Sequence, residues 1–151
     1  MSSAPPAVSA VNPSSALTRV YGAAAAGVCL APLVIAATVA PDPAGHGTHE
    51  ALGLPACGWA AATLRPCPTC GMTTAFAHAV RGDLSAALLA QPMGLLLALG
   101  LAAGFWVGLH AALTGSRVGT LASRLLVPRV LWAAAGIGAV SWAYKWMTWG
   151  G

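Results

Sequence analysis

Apolar and polar positions divide the chain into alternating zones. Residues 1–18 are mostly Ser, Ala, Pro and Asn with few bulky side chains, the pattern of a disordered tail. From Val20 to Pro41 no charge occurs, and a helix of that length crosses about 30 Å of hydrocarbon. Polar positions return between Asp42 and Asp83. Leu84 to Ser116 is again uncharged, too long for one span and interrupted at Gln91-Pro92. It divides into a short helix capped by Asp83 and a span over about residues 93–113. A loop at 114–129 carries Arg117, Arg124 and Arg129, and a third span is predicted over about 130–149. Near its end Lys145 is expected to snorkel outward, while Trp142, Tyr144, Trp146 and Trp149 take the belt position of amphipathic aromatics.

Composition sharpens this picture. The 151 residues are 58% hydrophobic and 7% charged, too few charges to coat a soluble domain of this size. The net charge of +4 is scattered, with no basic cluster or stacking platform for nucleic acid. The expected fold class is therefore an all-α integral membrane protein, with three transmembrane helices and one or two short interfacial helices. A tail at 1–18 precedes a single membrane domain at 19–151. A signal-peptide reading fits poorly: Pro41 would follow the cut after Ala40, and the apolar run exceeds an ordinary h-region.

Three spans place the N-terminus and the 114–129 loop on one side, with Arg19, Arg117, Arg124 and Arg129. Arg65, Arg81 and Lys145 fall on the other side. The positive-inside tendency then sets the N-terminus in the cytoplasm of a cell (inner) membrane and the cysteines outside, where disulfides persist.

The segment from Asp42 to Asp83 holds five of the ten charges, three of the four histidines and three of the four cysteines. Its densest signal is Cys57, followed by Cys67-Pro68-Thr69-Cys70-Gly71-Met72-Thr73-Thr74. Pro68 suits a first helical turn, and no breaker follows Met72 until Gly82, so a helix is predicted to start at the motif. A cysteine at such a start has a lowered thiol pKa. Positions 70, 74 and 78 would share one face, aligning His78 with Cys70.

Three uses of these cysteines compete. Cys57, Cys67, Cys70 and His78, with His46 or His49 as alternatives to His78, would make a four-ligand site suited to zinc. Cys67 and Cys70 could instead form a redox dithiol with Cys57 as an exchanging thiol, although no βαβ pattern provides a thioredoxin fold. The third use is a purely structural link. Cys29 is expected to pack as a small apolar side chain. Gly100, Gly104 and Gly108 form a row that lets helices approach closely, within the chain or, alternatively, across a homo-oligomer seam. The acids are scattered outside the spans, which argues against a proton-coupled transporter, and no phosphate loop or hydrolase motif occurs.

At these residues the chain resembles a bacterial family of small membrane proteins known as a domain of unknown function. Its signature is a lone Cys, Cys-Pro-x-Cys-Gly-x-Thr-Arg, a Gly-Asp pair, then Asn-Pro opening an apolar span. Here it reads Cys57, Cys67-Pro68-Thr69-Cys70-Gly71-Met72-Thr73, Gly82-Asp83 and Gln91-Pro92, over about residues 54–100. Thr74 stands where the family has Arg, and Gln91 where it has Asn. His78 or Arg81 is expected to compensate for the missing cation. The resemblance implies a membrane protein with the motif at the membrane surface and no assigned activity. The sequence thus favours a non-enzymatic component whose Cys57/CPTCG loop binds zinc or forms a structural link, with a Cys67/Cys70 thiol–disulfide oxidoreductase as the alternative.

Overall fold

Runs of Ala, Leu and Val without charge wind into two long helices, α1 (Pro13–Thr38) and α5 (Pro92–Thr114). In the computed structural model, which describes residues 13–116 and 128–149, every regular element is helical. Between the two long helices lie a 3-10 helix at Thr48–Leu52, α2 (Gly58–Thr63), α3 (Met72–Ala79) and α4 (Leu84–Ala90). A last helix, α6, covers Pro128–Met147. α1 opens at Pro13, inside the stretch expected as a tail, whose earlier part lies outside the described residues. Most of the arginine loop, with Arg117 and Arg124, also lies outside them.

α1 and α5 pack antiparallel on small residues. A Cβ on Gly22 would lie 2.6 Å from the Ala112 nitrogen, and one on Gly108 would lie 2.8 Å from the Ala26 nitrogen. Further along, a Cβ on Gly104 would meet the Cys29 sulfur at 2.9 Å. Two rows of the glycine motif, at Gly104 and Gly108, are thus spent on contact within the chain, while Gly100 faces open space. Cys29 is a packing residue in this seam.

The short helices form a layer at the end where α1 stops and α5 starts. Four short elements replace the one or two expected, because turn glycines break the 42–91 segment repeatedly. Asp83 caps α4 as the sequence suggests, its carboxylate accepting from the Ala86 N–H at 3.0 Å. Ala75, Ala87, Ala90 and Leu95 make a small core joining α3, α4 and α5. Arg81 fastens the layer to α1. Its guanidinium donates to the carbonyls of Ala36 at 3.3 Å, Ala37 at 3.2 Å and Val39 at 2.6 Å, which end α1 without helical partners. Arg81→Met should lower stability by about 1–3 kcal/mol, read as a fall in melting temperature in detergent.

Among the described residues, two helices, over Ser15–Ala37 and Pro92–Thr114, are long and apolar enough to cross a membrane. That is one fewer than expected. α6 forms, but Arg129, Lys145, Ser141, two glycines and several tryptophans thin its apolar stretch. Only 17% and 22% of the most apolar windows of the other two are buried.

Candidate functional site

The motif folds as a turn that precedes a helix, where the sequence suggested that the helix itself begins there. The Cys70 N–H donates to the Cys67 carbonyl at 3.0 Å, and α3 begins only at Met72. Gly71 adopts φ +84°, and a Cβ there would lie 2.6 Å from the Gly45 oxygen and 2.9 Å from the Ala90 oxygen. Only glycine combines that backbone with that approach. Cys57 sits at the N-cap of α2.

Cys57, Cys67 and Cys70 line one cavity of about 280 Å³, together with His49, Thr69 and Thr74. All are thiols. The thiols of the motif turn differ in environment. Burial raises the Cys67 thiol, but hydrogen bonds from the Thr69 hydroxyl, the Cys57 thiol, the Thr69 N–H and the Cys70 thiol outweigh it, leaving its pKa lowered. The Cys67 Sγ lies 3.3 Å from the Thr69 Oγ1. Cys70 is buried, and that burial, with the charge of Cys67 second, pushes its thiol up to about 11. The turn therefore presents a half-exposed, readily ionised sulfur in front of a buried, protonated one.

The turn is held by groups from distant parts of the chain. Gln91, 1% exposed, donates from Nε2 to the Pro68 carbonyl at 3.1 Å. Its Oε1 accepts from the Ser141 hydroxyl at 3.0 Å, and that hydroxyl accepts the Met93 N–H at 3.0 Å. The Trp142 indole donates to the Pro66 carbonyl at 3.1 Å. Lys145 does not snorkel: it is 5% exposed and donates to the carbonyls of Gly45 at 3.0 Å and Ala90 at 3.2 Å, beside Gly71. Thr48 and Thr74 share a buried hydroxyl–hydroxyl bond of 2.8 Å, which pins the 3-10 helix carrying His49 against α3.

The other histidines are placed elsewhere. His78 does not join the cysteines; its Nδ1 lies 3.5 Å from the Asp83 carboxylate. The reason is that Cys70 precedes α3, so the spacing of four residues carries no common face back to it. His46 stacks on Trp149 at 4.4 Å, and burial, then the charge of Lys145, lowers its pKa. Among the described residues, no group of three or more His, Cys, Asp or Glu side chains is placed to hold a metal ion. Neither His78 nor Arg81 supplies a cation at the motif, since Arg81 is committed to the end of α1.

Sequence reading missed Ser141, Trp142 and the inward direction of Lys145. A signal existed: Ser141 and Lys145 are four apart, a polar pair on one face of an otherwise apolar helix. No curated protein and no solved structure matches the chain. Residues 55–105, which hold the three clustered cysteines, Gln91 and the opening of α5, match the model of a family described as protein of unknown function, DUF2752.

Proposed function

We propose that this is an integral membrane protein whose Cys67–Cys70 turn exchanges thiols and disulfides at the non-cytoplasmic surface. The membrane placement is supported by the exposure of its longest apolar helices, which a soluble fold would bury. Arg81 and Lys145, both counted on the motif side, are bonded to backbone carbonyls. This is consistent with the arginine loop lying in the cytoplasm.

One observation carries the exchange reading: a half-exposed Cys67 of lowered pKa stands before a buried Cys70 pushed up to about 11, in one turn and one cavity. The Cys67 thiolate attacks a substrate disulfide, forming a mixed disulfide and releasing one substrate thiolate. The Cys70 sulfur, after losing its proton, attacks the Cys67 Sγ and releases the second substrate thiol. Two electrons pass from the dithiol to the substrate, and the turn is left as a disulfide. Cys57, hydrogen-bonded to Cys67, is the thiol placed to accept the disulfide onward.

A glutathione redox titration of the detergent-purified chain tests this. Cys67 and Cys70 should oxidise together at one midpoint, and Cys67→Ser should abolish the transition. Alkylation should follow the pKa order: Cys67 half-reacts below the ordinary thiol value of 9.0, whereas Cys70 needs a pH near 11. The competing use is zinc held by Cys57, Cys67, Cys70 and His49, which line one cavity but would have to draw together to ligate an ion. One zinc per chain, with thiols protected until a chelator is added and no redox midpoint, would sink the exchange reading.

A further inference from the structure

One cation on the motif side is not spent on the fold. Arg81 and Lys145 are bonded to backbone carbonyls, whereas the Arg65 guanidinium has neither a hydrogen bond nor an acid partner among the described residues. Arg65 is exposed, and its guanidinium lies over the Trp146 ring, 4.6 Å from the centre. A guanidinium above an indole keeps N–H edges free for an acceptor. The backbone beside it is fixed, because the Trp142 indole donates to the carbonyl of the next residue, Pro66, at 3.1 Å.

Trp146 also belongs to an open apolar groove of about 420 Å³, which it lines with Trp142, Ala143 and Met147. The two indoles stand edge to face, 6.2 Å apart. Toward the start of α6 the face of Ala143 continues through Val140 and Gly136 to Trp132, in steps of three and four residues. Val140 is 71% and Trp132 78% exposed, and a Cβ on Gly136 would meet nothing within 4 Å. From Ala143 to Trp132 this track runs about 17 Å, close to half of a ~30 Å hydrocarbon core. An unpaired cation therefore stands at the head of an apolar strip one leaflet deep.

We infer that this strip binds one anionic phospholipid, with its phosphate on Arg65 and an acyl chain along α6. The inference rests on the membrane placement in the proposed function and is independent of thiol exchange. A phosphate diester accepts two parallel N–H bonds from one guanidinium edge. A zwitterionic head adds an ammonium, and no acidic residue lines the groove to receive it. A partner helix would need small residues where the two tryptophans stand, whereas a flexible chain lies between them.

The test is native mass spectrometry of the full chain in detergent, titrated with phosphatidylglycerol and with phosphatidylcholine of the same acyl chains. One phosphatidylglycerol should be retained per chain, about tenfold more tightly than phosphatidylcholine. Arg65→Gln should remove that preference. Ala143→Trp should do the same by filling the groove while Arg65 stays in place. Arg19→Gln, at an exposed arginine near the opposite end of α1, should leave it intact. Excess inorganic phosphate should not displace the lipid; displacement would reduce the site to a phosphate contact and overturn it. Equal retention of the two lipids, or an equal loss with Arg19→Gln, would also overturn the site and leave the membrane placement standing. A chain that stays monodisperse in water without detergent and retains neither lipid would remove the membrane placement and the site with it. Melting temperatures in phosphatidylcholine alone, expected at the wild-type value, separate lost binding from lost folding. Where Ala143→Trp does not fold, Arg65→Gln against the two lipids decides.

Discussion

Cys70→Ser is expected to turn the chain into a trap that accumulates a mixed disulfide on Cys67. The Thr69 hydroxyl and N–H remain to stabilise the Cys67 thiolate, so the first attack proceeds. The second attack has lost its nucleophile. A serine hydroxyl cannot displace a thiol, and with Cys57 also changed to Ser, so that the neighbouring thiol is gone, only an external thiol can then resolve the adduct. Replacing an attack within one turn by an encounter in solution should slow resolution at least about a hundredfold. Incubation with oxidised glutathione, followed by mass spectrometry without reductant, should show most of the protein carrying one glutathione on Cys67. The wild type should instead show the Cys67–Cys70 disulfide and no lasting adduct. Cys70 lines the thiol cavity, where the new hydroxyl can find water, and a melting temperature close to wild type separates this outcome from unfolding. A Cys70→Ser chain that alkylates normally at Cys67 yet gathers no glutathione would rule out exchange at this turn.

Much of the layout is visible in the sequence wherever one local rule dominates. Asp83 after Gly82 could only begin a helix, and it does so with the expected cap. The uncharged runs around residues 20–40 and 93–113 become the two longest helices, even with Pro32 inside the first. Cys57, Cys67 and Cys70, singled out by their spacing, line one cavity, but the spacing alone left their use open. What the sequence concealed depends on contacts across long separations. A helical face drawn from Cys70 through Thr74 to His78 assumed that the helix includes Cys70. Gly71, left-handed at φ +84° where no Cβ fits beside the carbonyls of Gly45 and Ala90, delays the helix, and His78 lies against Asp83 instead. The substitution of Gln91 for the family's Asn read only as a departure. In the fold its longer amide bridges Pro68 and Ser141, fifty residues further along the chain. The cation that sequence sought at His78 or Arg81 enters from α6, which lies outside the stretch matching the family.

Lys145→Met is expected to be the most destabilising single change in the layer that carries the motif. Methionine keeps the length and the apolar stem but removes the donors that serve the Gly45 and Ala90 carbonyls. Both oxygens lie where Gly71 packs closest, and a cavity of about 400 Å³ lined by Gly45, Ala90 and Lys145 lets water reach only part of what the ammonium serves. One buried and one part-buried acceptor left without this donor cost about 2–4 kcal/mol. Ser141→Ala, one turn earlier on the same helix, gives up only hydroxyl bonds to Gln91 and Met93 and should cost about 1 kcal/mol. Lys145→Arg should fail to rescue, because a planar guanidinium is wider than the space between Gly45 and Gly71. The effect should reach the thiols. With α6 undocked, Cys70 loses its burial and becomes alkylatable at pH well below 11, in step with a lower melting temperature. A side chain that merely snorkelled to the interface would make Lys145→Met nearly silent. Unchanged melting with Cys70 still protected would therefore return Lys145 to the membrane surface and leave the motif turn held by Gln91 and Trp142.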